Sequence, residues 1–369
     1  MTVLLILTFL YLSQSLFLFI GILKTKYKRC SQQPFVTVIV AARNEAENIL
    51  NCLNSLLKLN YPRSKVEFLI VNDRSTDKTG EIVKKFITKH SDFNYINITK
   101  KHPFLSGKAS AISEALQNST GEIIFITDAD CVVPQNWVME KVSYFREQVG
   151  IVAGFTLPKS LKNRTSLFGK IQAIDWIYLL SIAAGAVGWK LPLSCIGNNF
   201  AFRRQAYNDV GGYERVGFSL TEDFALLQAV SKRTDWQIAF PINKSCLVLS
   251  EPIESIKAFF RQRKRWAFGG LKVRYYGKFI IGLGIFTHIS ILSSLLFTSQ
   301  KLYLLSSIAI IIAADLILII YSLNKLNMLS LVIYYPIFKM FYCFYILLLP
   351  LLILINKKVV WKDVTYTPN

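Results

Sequence analysis

Two aspartates one residue apart close an apolar stretch, Ile123-Ile124-Phe125-Ile126-Thr127-Asp128-Ala129-Asp130. A strand places residues i and i+2 on one face, so Asp128 and Asp130 can converge on a single cation. Two carboxylates held together repel unless positive charge sits beside them. A hard divalent ion shared with substrate phosphates would supply it, because Mg²⁺ is commonly held by one or two carboxylates plus phosphate oxygens. Taken alone, Asp-x-Asp equally describes a strand that ends in an acidic turn. The rest of the chain has to decide between the two.

The elements around the pair give it company. Phe35 to Ala42 is a β-branched run that reads as a buried strand, ended by Arg43-Asn44-Glu45. Glu47 to Leu59 has helical periodicity and is broken at Tyr61-Pro62. Val66 to Val71 is a second strand, followed by Asn72-Asp73-Arg74-Ser75, and Thr79 to His90 a second helix with Asp77 or Thr79 as its cap. Tyr95 to Ile98 is a short strand, and Lys108 to Gln117 is helical after Gly107. Further on, Trp137 to Gln148 reads as a helix and Ile151 to Phe155 as a strand. Alternating strands and helices predict a mostly parallel, Rossmann-like α/β sheet covered on both faces. Ligands of such sheets lie at the carboxyl ends of the strands. Asn44, Glu45, Asp73, Asp128 and Asp130 all stand at those ends.

Composition narrows the setting. Of the 369 residues 52% are hydrophobic, which is high for a soluble domain, and the excess gathers at the two ends. Met1 to Leu23 carries no charged side chain and is long enough to span a bilayer. It lacks the basic start and small-residue cleavage site of a signal peptide, and so reads as a retained anchor. Lys24, Lys26, Lys28 and Arg29 follow, which places the next domain on the cytoplasmic side. Phe279–Phe297 and Leu302–Tyr321 are each about one span long. Leu329–Ile355 is longer and contains Pro336, Lys339 and Pro350. As one helix it would carry the basic tail Lys357 to Lys362 outside, so two short or re-entrant segments are expected, for four or five membrane segments in all. Leu167 to Trp189, interrupted by Lys170, Gln172 and Asp175, reads as an amphipathic interfacial helix.

The expected organisation is therefore an anchor at 1–23, an α/β domain at 31–277, membrane helices at 278–356 and a basic tail at 357–369. The net charge of +20 would suit nucleic acid. Its basic residues crowd next to the apolar ends, however, which favours anionic lipid headgroups and an anionic substrate over nucleic acid. Six cysteines without a C-x-x-C pair indicate neither a zinc site nor a disulfide framework. Three histidines make chemistry built on a histidine base improbable. There is no G-x-G-x-x-G, Walker A or H-E-x-x-H motif.

Asp73 after the second strand, Asp128-Ala129-Asp130, Thr221-Glu222-Asp223 and Gln262-x-x-Arg265-Trp266 occur in this order between residues 35 and 275. Together they resemble family 2 glycosyltransferases of the GT-A fold. The closer resemblance is to the membrane-embedded branch that includes cellulose, hyaluronan and poly-N-acetylglucosamine synthases and ceramide glucosyltransferase. The resemblance implies a nucleotide-sugar donor held by Asn44 and Glu45, with Asp73 accepting a hydrogen bond from the base and Lys108 near the diphosphate. It implies Mg²⁺ or Mn²⁺ on Asp128 and Asp130, and Asp223 as the general base of an inverting displacement. Gln262, Arg265 and Trp266 would close the far side, and Asp175 with Gly197-Asn198-Asn199 fall where relatives line the acceptor channel. Taken separately, Asp223 also reads as an acidic first helical turn, Asp73 as a helix cap, Lys108 as a solvated helix lysine and the 261–266 cluster as a juxtamembrane belt.

The expected protein is a multi-pass enzyme of the cell membrane that moves sugar from a nucleotide-sugar, in particular a UDP-sugar, to a lipid-linked or glycan acceptor at the cytoplasmic face. A processive polysaccharide synthase is the alternative within that class. Outside it stands a non-catalytic scaffold that binds anionic lipid.

Overall fold

The structure is a computed structural model and describes residues 2–100, 102, 105, 107–162, 164–270, 272–297, 299–361 and 364–366. Lys362 of the expected basic tail lies outside the described residues. The chain divides into two compact units. One comprises Lys26–Asn163 and Ser194–Glu251, the other Met1–Thr25, Arg164–Leu193 and Pro252–Asn369. The expected 31–277 domain is thus split, with residues 164–193 and everything after 251 assigned to the helical unit.

After helix α1 (Thr2–Lys24), the α/β unit runs β1 (Val36–Ala42), α2 (Ile49–Leu57), β2 (Val66–Asp73), α3 (Thr79–Ile87) and β3 (Phe93–Ile98). It continues with α4 (Lys108–Gln117), β4 (Ile123–Asp128), β5 (Cys131–Val132), α5 (Trp137–Val142), β6 (Val149–Ala153) and β7 (Thr156–Pro158). After α6 (Leu167–Gly188) come β8 (Phe200–Arg203), α7 (Arg204–Asp209), α8 (Gly212–Val216), α9 (Glu222–Arg233), β9 (Gln237–Ala239) and β10 (Val248–Ser250). The last part holds α10 (Ile256–Gly270), α11 (Tyr275–Phe297), α12 (Lys301–Lys325), α13 (Tyr335–Ile355) and the hairpin β11 (Val359–Trp361) and β12 (Val364–Tyr366).

Seven strands form one sheet in the order β3-β2-β1-β4-β8-β6-β9. The first four are parallel, as the alternation of strands and helices requires. Val36, Val38, Ile39 and Val40 are fully buried, as expected of a strand flanked on both sides and covered on both faces. From β1 the chain steps outward to β2 and β3, then returns across β1 to lay down β4. The strand order therefore reverses between β1 and β4, the point at which open α/β sheets leave a crevice at their carboxyl ends. Ala41 pairs with Asp128 there, so Asn44, Glu45 and the aspartate pair leave the sheet side by side.

The sheet is not parallel throughout. β8 lies antiparallel to both β4 and β6. Four residues, Phe-Ala-Phe-Arg, form this strand, too few for a periodicity to show in the sequence. A second sheet, β5-β10-β7, joins segments far apart in the chain. The strand expected at 151–155 begins two residues earlier, and the helix expected at 137–148 stops at Val142.

The helical unit contains five helices long and apolar enough to cross a membrane, among the described residues. These are Thr2–Lys24, Leu167–Gly188, Tyr275–Phe297, Lys301–Lys325 and Leu329–Ile355. Phe286, Leu296, Leu302 and Ile355 are exposed on them, as lipid-facing side chains would be. Two expectations change here. α6 has no polar stripe: 83% of its most apolar window is buried, so it is an interior helix of the bundle rather than an amphipathic one. The polar residues that suggested a wet face are each satisfied inside the unit. Lys170 donates to Tyr334 Oη (2.6 Å), Gln172 exchanges hydrogen bonds with Ile253 N and O (3.0 and 2.8 Å), and Asp175 pairs with Arg263. Residues 329–355 are likewise not two short segments. A 3-10 stretch, Leu329–Tyr334, runs into one continuous helix with Pro336 in its first turn and Pro350 inside it. Lys339 does not break it, because its Nζ sits 2.7 Å from Asp315 Oδ2, and Asp315 also accepts from Tyr11 Oη (2.7 Å) and Tyr335 Oη (2.9 Å).

α1 and α6 touch through glycine backbone. A Cβ at Gly188 would lie 1.9 Å from the Gly21 carbonyl oxygen, and one at Gly185 would lie 2.4 Å from that of Leu18. Small residues let helices approach this closely. Gly188→Val should therefore lower the thermal midpoint in detergent, costing about 1–3 kcal/mol or more by overpacking. Gly282→Ala, whose Cβ would meet nothing nearer than Phe286 at 4.0 Å, should leave the midpoint unchanged. Equal effects of the two substitutions would argue against a close α1–α6 contact.

Candidate active site

The site lies at the carboxyl end of β1 and β4 and is organised around Lys108. Gly107 takes φ +58°, a left-handed conformation suited to glycine, and turns the chain so that Lys108 becomes the first residue of α4. The ammonium does not point to solvent. Its Nζ lies 2.5 Å from Asp128 Oδ1 and 3.8 Å from Glu222 Oε1, and it donates to the Gly197 carbonyl at 3.0 Å. The side chain is 10% exposed. Burial works against the charged amine. The carboxylates of Asp128, Glu222 and Asp223 outweigh it and hold the pKa above the ordinary lysine value. The reading of Lys108 as a solvated helix lysine is thereby set aside.

Asp223 comes into the same space from another element. It is the second residue of α9, and its Oδ1 accepts from the Phe224 N–H at 2.8 Å. A Cβ placed on Gly197 would meet Asp223 Oδ2 at 3.1 Å and Lys108 Nζ at 3.2 Å, so only a glycine passes between them without displacing one. Thr221, which precedes the helix, makes no side-chain cap. Lys108, Asp128, Glu222, Asp223 and Gly197 thus form one cluster from four separate stretches of chain.

The aspartate pair does not sit as a strand would place it. β4 ends at Asp128, and Ala129 and Asp130 form a turn before β5 starts at Cys131. The two carboxylates are arranged across a turn rather than along one strand face, so the i, i+2 argument does not apply. Asp130 Oδ1 accepts from the Cys131 thiol at 3.3 Å. Burial pushes the Cys52 thiol well up, and the nearby carboxylates of Asp130, Asp128 and Glu45 add to that shift, which places all three around one buried thiol.

Asn44 and Glu45 bind the loop after β2. Asn44 has φ +54°, and its Oδ1 accepts from the Thr76 N–H at 2.8 Å. The Asn44 N–H donates to Ser75 Oγ (3.0 Å), the Glu45 N–H to Thr79 Oγ1 (2.8 Å) and the Ala46 N–H to Asp77 Oδ2 (3.0 Å). Asp73 is the last residue of β2 and is buried. Arg74 holds its Oδ1 through Nε (2.7 Å) and a terminal nitrogen (2.6 Å). The carboxylate is fixed at the strand end rather than serving as a helix cap.

Asn198 and Asn199 are framework residues. Asn198 Oδ1 accepts from Thr156 Oγ1 (2.8 Å). The Asn199 amide donates to the carbonyls of Phe155 (2.6 Å) and Cys246 (2.7 Å), and its Oδ1 accepts from Trp137 Nε1 (3.0 Å). Its carbonyl receives Lys141 Nζ at 2.8 Å, and burial lowers the pKa of that lysine to about 7. Of this loop only Gly197 reaches the cluster.

Gln262, Arg265 and Trp266 belong to the other unit, on α10. Trp266 packs on Trp176 with ring centroids 5.5 Å apart, and Gln262 Oε1 accepts from Arg263 at 3.1 Å. Arg263, read from sequence as part of a basic belt, is buried. It pairs with Asp175 and lies 4.2 Å from the Trp266 ring centroid and 4.5 Å from that of Phe259. Asp175 also accepts from Tyr345 Oη at 2.5 Å, which makes it a packing partner of α10 and α13 rather than a free channel residue. The available signal was Asp175 itself, since an acid in an apolar helix demands a partner.

Residues 37–211 match the family model for glycosyl transferase family 2. Poly-beta-1,6-N-acetyl-D-glucosamine synthase of Staphylococcus epidermidis is 28% identical over 239 residues, covering 64% of this chain and 55% of the relative. A probable glycosyltransferase of Bacillus subtilis, YdaM, is 31% identical over 239 residues with the same coverage. The chain therefore spans about half the length of the curated relatives it matches. Among solved structures, the mannosyltransferase PcManGT of Pyrobaculum calidifontis, determined with GDP-Man and Mn²⁺, superposes with a TM-score of 0.58. That match covers 91% of this chain and 97% of PcManGT at 20% identity. Over residues 37–211 the chain is similar to family 2 glycosyltransferases, and its fold is of the GT-A type.

Proposed function

We propose that this protein transfers a sugar, with inversion, from a nucleotide-sugar to a lipid-linked or glycan acceptor at the cytoplasmic face of the cell membrane. The observation that carries the reading is the convergence of Lys108, Asp128 and the Glu222–Asp223 pair at the crevice where the strand order reverses.

Each residue has a task that its chemistry permits. Asp73, buried and steadied by Arg74, is an acceptor for a base N–H such as the imide of uracil. Lys108 offers a compact positive charge to the diphosphate. Asp223 takes the proton of the acceptor hydroxyl as that oxygen attacks the anomeric carbon, and the bond to the diphosphate oxygen breaks on the opposite side. A single base and no enzyme nucleophile give a direct displacement. By their chemistry Arg265 suits phosphate oxygens as a fork, Trp266 an apolar ring face, and Gln262 a polar donor or acceptor role.

Asp128 and Asp130 suit Mg²⁺ or Mn²⁺ by their donor chemistry, as hard oxygens at the diphosphate end of the site. No group of three or more His, Cys, Asp or Glu able to hold a metal occurs among the described residues, and phosphate oxygens of the donor would complete the set. Such an ion, when bound, offsets charge on the departing diphosphate. Asp130→Ala should weaken UDP binding in the presence of Mn²⁺ and leave binding without Mn²⁺ unchanged, as read by calorimetry. Equal affinity of variant and wild type with Mn²⁺ would remove Asp130 from the ligand set.

The deciding assay supplies membranes with a panel of radiolabelled nucleotide sugars and separates product into lipid-extractable and polymeric fractions. Label in the lipid fraction identifies a single-transfer enzyme. Label in polymer favours the second reading, a processive polysaccharide synthase, which is motivated by the likeness to the poly-N-acetylglucosamine synthase. No transfer from any donor above membranes lacking the protein would overturn both.

A further inference from the structure

The Lys108–Asp128 contact bears on how tightly a cation binds with and without nucleotide. Lys108 Nζ sits 2.5 Å from Asp128 Oδ1, on the carboxylate assigned above to the divalent cation. A cation coordinated by either oxygen of that carboxylate would lie within about 7 Å of the ammonium, given metal–oxygen distances near 2.1 Å. Two positive centres that close repel strongly in a partly buried site. The lysine has little room to withdraw. Its amine is also held by the Gly197 carbonyl at 3.0 Å, and the other acid within reach, Glu222 at 3.8 Å, lies in the same cluster.

We infer that Lys108 and the divalent cation compete for Asp128, so that the cation binds tightly only together with the diphosphate of a nucleotide. A diphosphate brings two or more negative charges to the space between them. Its oxygens can take ligand positions on the cation and accept hydrogen bonds from the ammonium, which converts the repulsion into a shared attraction. The coupling is reciprocal: nucleotide strengthens the cation by the same factor as the cation strengthens nucleotide. Lys108 is then the residue that sets the size of this coupling. Its position beside Glu222 and Asp223 ties the same event to the proposed base. The inference rests on the metal assignment made under the proposed function.

The test uses the purified full-length chain in detergent and counts free Mn²⁺ by electron paramagnetic resonance, with and without UDP and, in parallel, GDP. Asp128→Asn with the same nucleotides corrects for Mn²⁺ chelated in solution. In the wild type, nucleotide should tighten Mn²⁺ by about tenfold or more. Lys108→Met should bind Mn²⁺ without nucleotide about tenfold more tightly than the wild type, with the nucleotide effect reduced. Lys108→Arg, which keeps the charge, should behave as the wild type. Nucleotide-free Mn²⁺ binding by Lys108→Met no tighter than by the wild type overturns the inference. So does a complete lack of Mn²⁺ binding in every protein with nucleotide present. If Lys108→Met does not fold, the wild type alone decides, since equal Mn²⁺ affinity with and without nucleotide also overturns it. The proposed reaction fails separately, by absence of sugar transfer in the membrane assay, and that outcome leaves the Mn²⁺ coupling measurable.

Discussion

Asp223→Asn should bind UDP-sugar with unchanged affinity and lose transfer by about a hundred- to ten-thousand-fold, the contribution of a positioned general base. The substitution is chosen to separate two roles. Asparagine keeps an Oδ1 that can accept from the Phe224 N–H, as aspartate does at 2.8 Å. It gives up only the charge that favours the positive end of the helix, about 0.3–1 kcal/mol. If Asp223 only steadies the first turn of α9, the variant should show a slightly lower thermal midpoint and unchanged turnover. A base, by contrast, cannot be replaced by an amide that accepts no proton. The pair of measurements is donor affinity by calorimetry and initial rate with labelled donor. Near-normal turnover would remove Asp223 from the mechanism and direct attention to Glu222, the other acid beside Lys108.

The second large effect lies in the helical unit. Arg263→Ala should destabilise that unit by about 3–5 kcal/mol, the cost of leaving a buried carboxylate without its charge partner. Arg263 and Asp175 have side chains 3% and 1% exposed, so solvent screening does not soften the loss. Tyr345 Oη would remain on Asp175, but one hydroxyl does not replace a guanidinium. The double variant Asp175→Leu/Arg263→Met should recover most of the lost stability, because replacing a buried pair with apolar residues is often neutral. Thermal unfolding in detergent reads both. A single variant as stable as the wild type would mean that the pair is hydrated and contributes little. Arg263 also lies over the Trp266 ring, so the double variant, if stable, would show through its KM whether the role proposed for Trp266 depends on the arginine above it.

Much of the α/β unit was readable before any coordinates. The first four strands, their parallel order and the placement of Asn44, Glu45, Asp73 and Asp128 at strand ends follow from apolar runs separated by helices. That pattern allows few arrangements, because parallel strands must be joined through covered crossovers. β8 was not readable. Four residues carry no periodicity, and the antiparallel pairing depends on two strands, β4 and β6, that lie 70 and 50 residues upstream in round numbers. The interior nature of α6 was misread for a related reason. Lys170, Gln172 and Asp175 look like a wet face in one dimension, and only their partners, Tyr334, Ile253 and Arg263, neutralise them.

The residue types of the site were set by the sequence alone: paired aspartates after an apolar strand, an acid after Thr221, and a lysine after Gly107. The types establish what chemistry is available. Tertiary structure decided which of them meet. Lys108 could have been solvated, and instead it lies between Asp128 and Glu222, because α4 and α9 start, and β4 ends, at the same crevice. Asn198 and Asn199 were also candidates on paper, and the fold uses their amides to tie the Thr156 hydroxyl and the carbonyls of Phe155 and Cys246. The physical reason is that a polar side chain brought out of water must find a partner. Whether that partner is framework or substrate depends on neighbours that are distant in the chain.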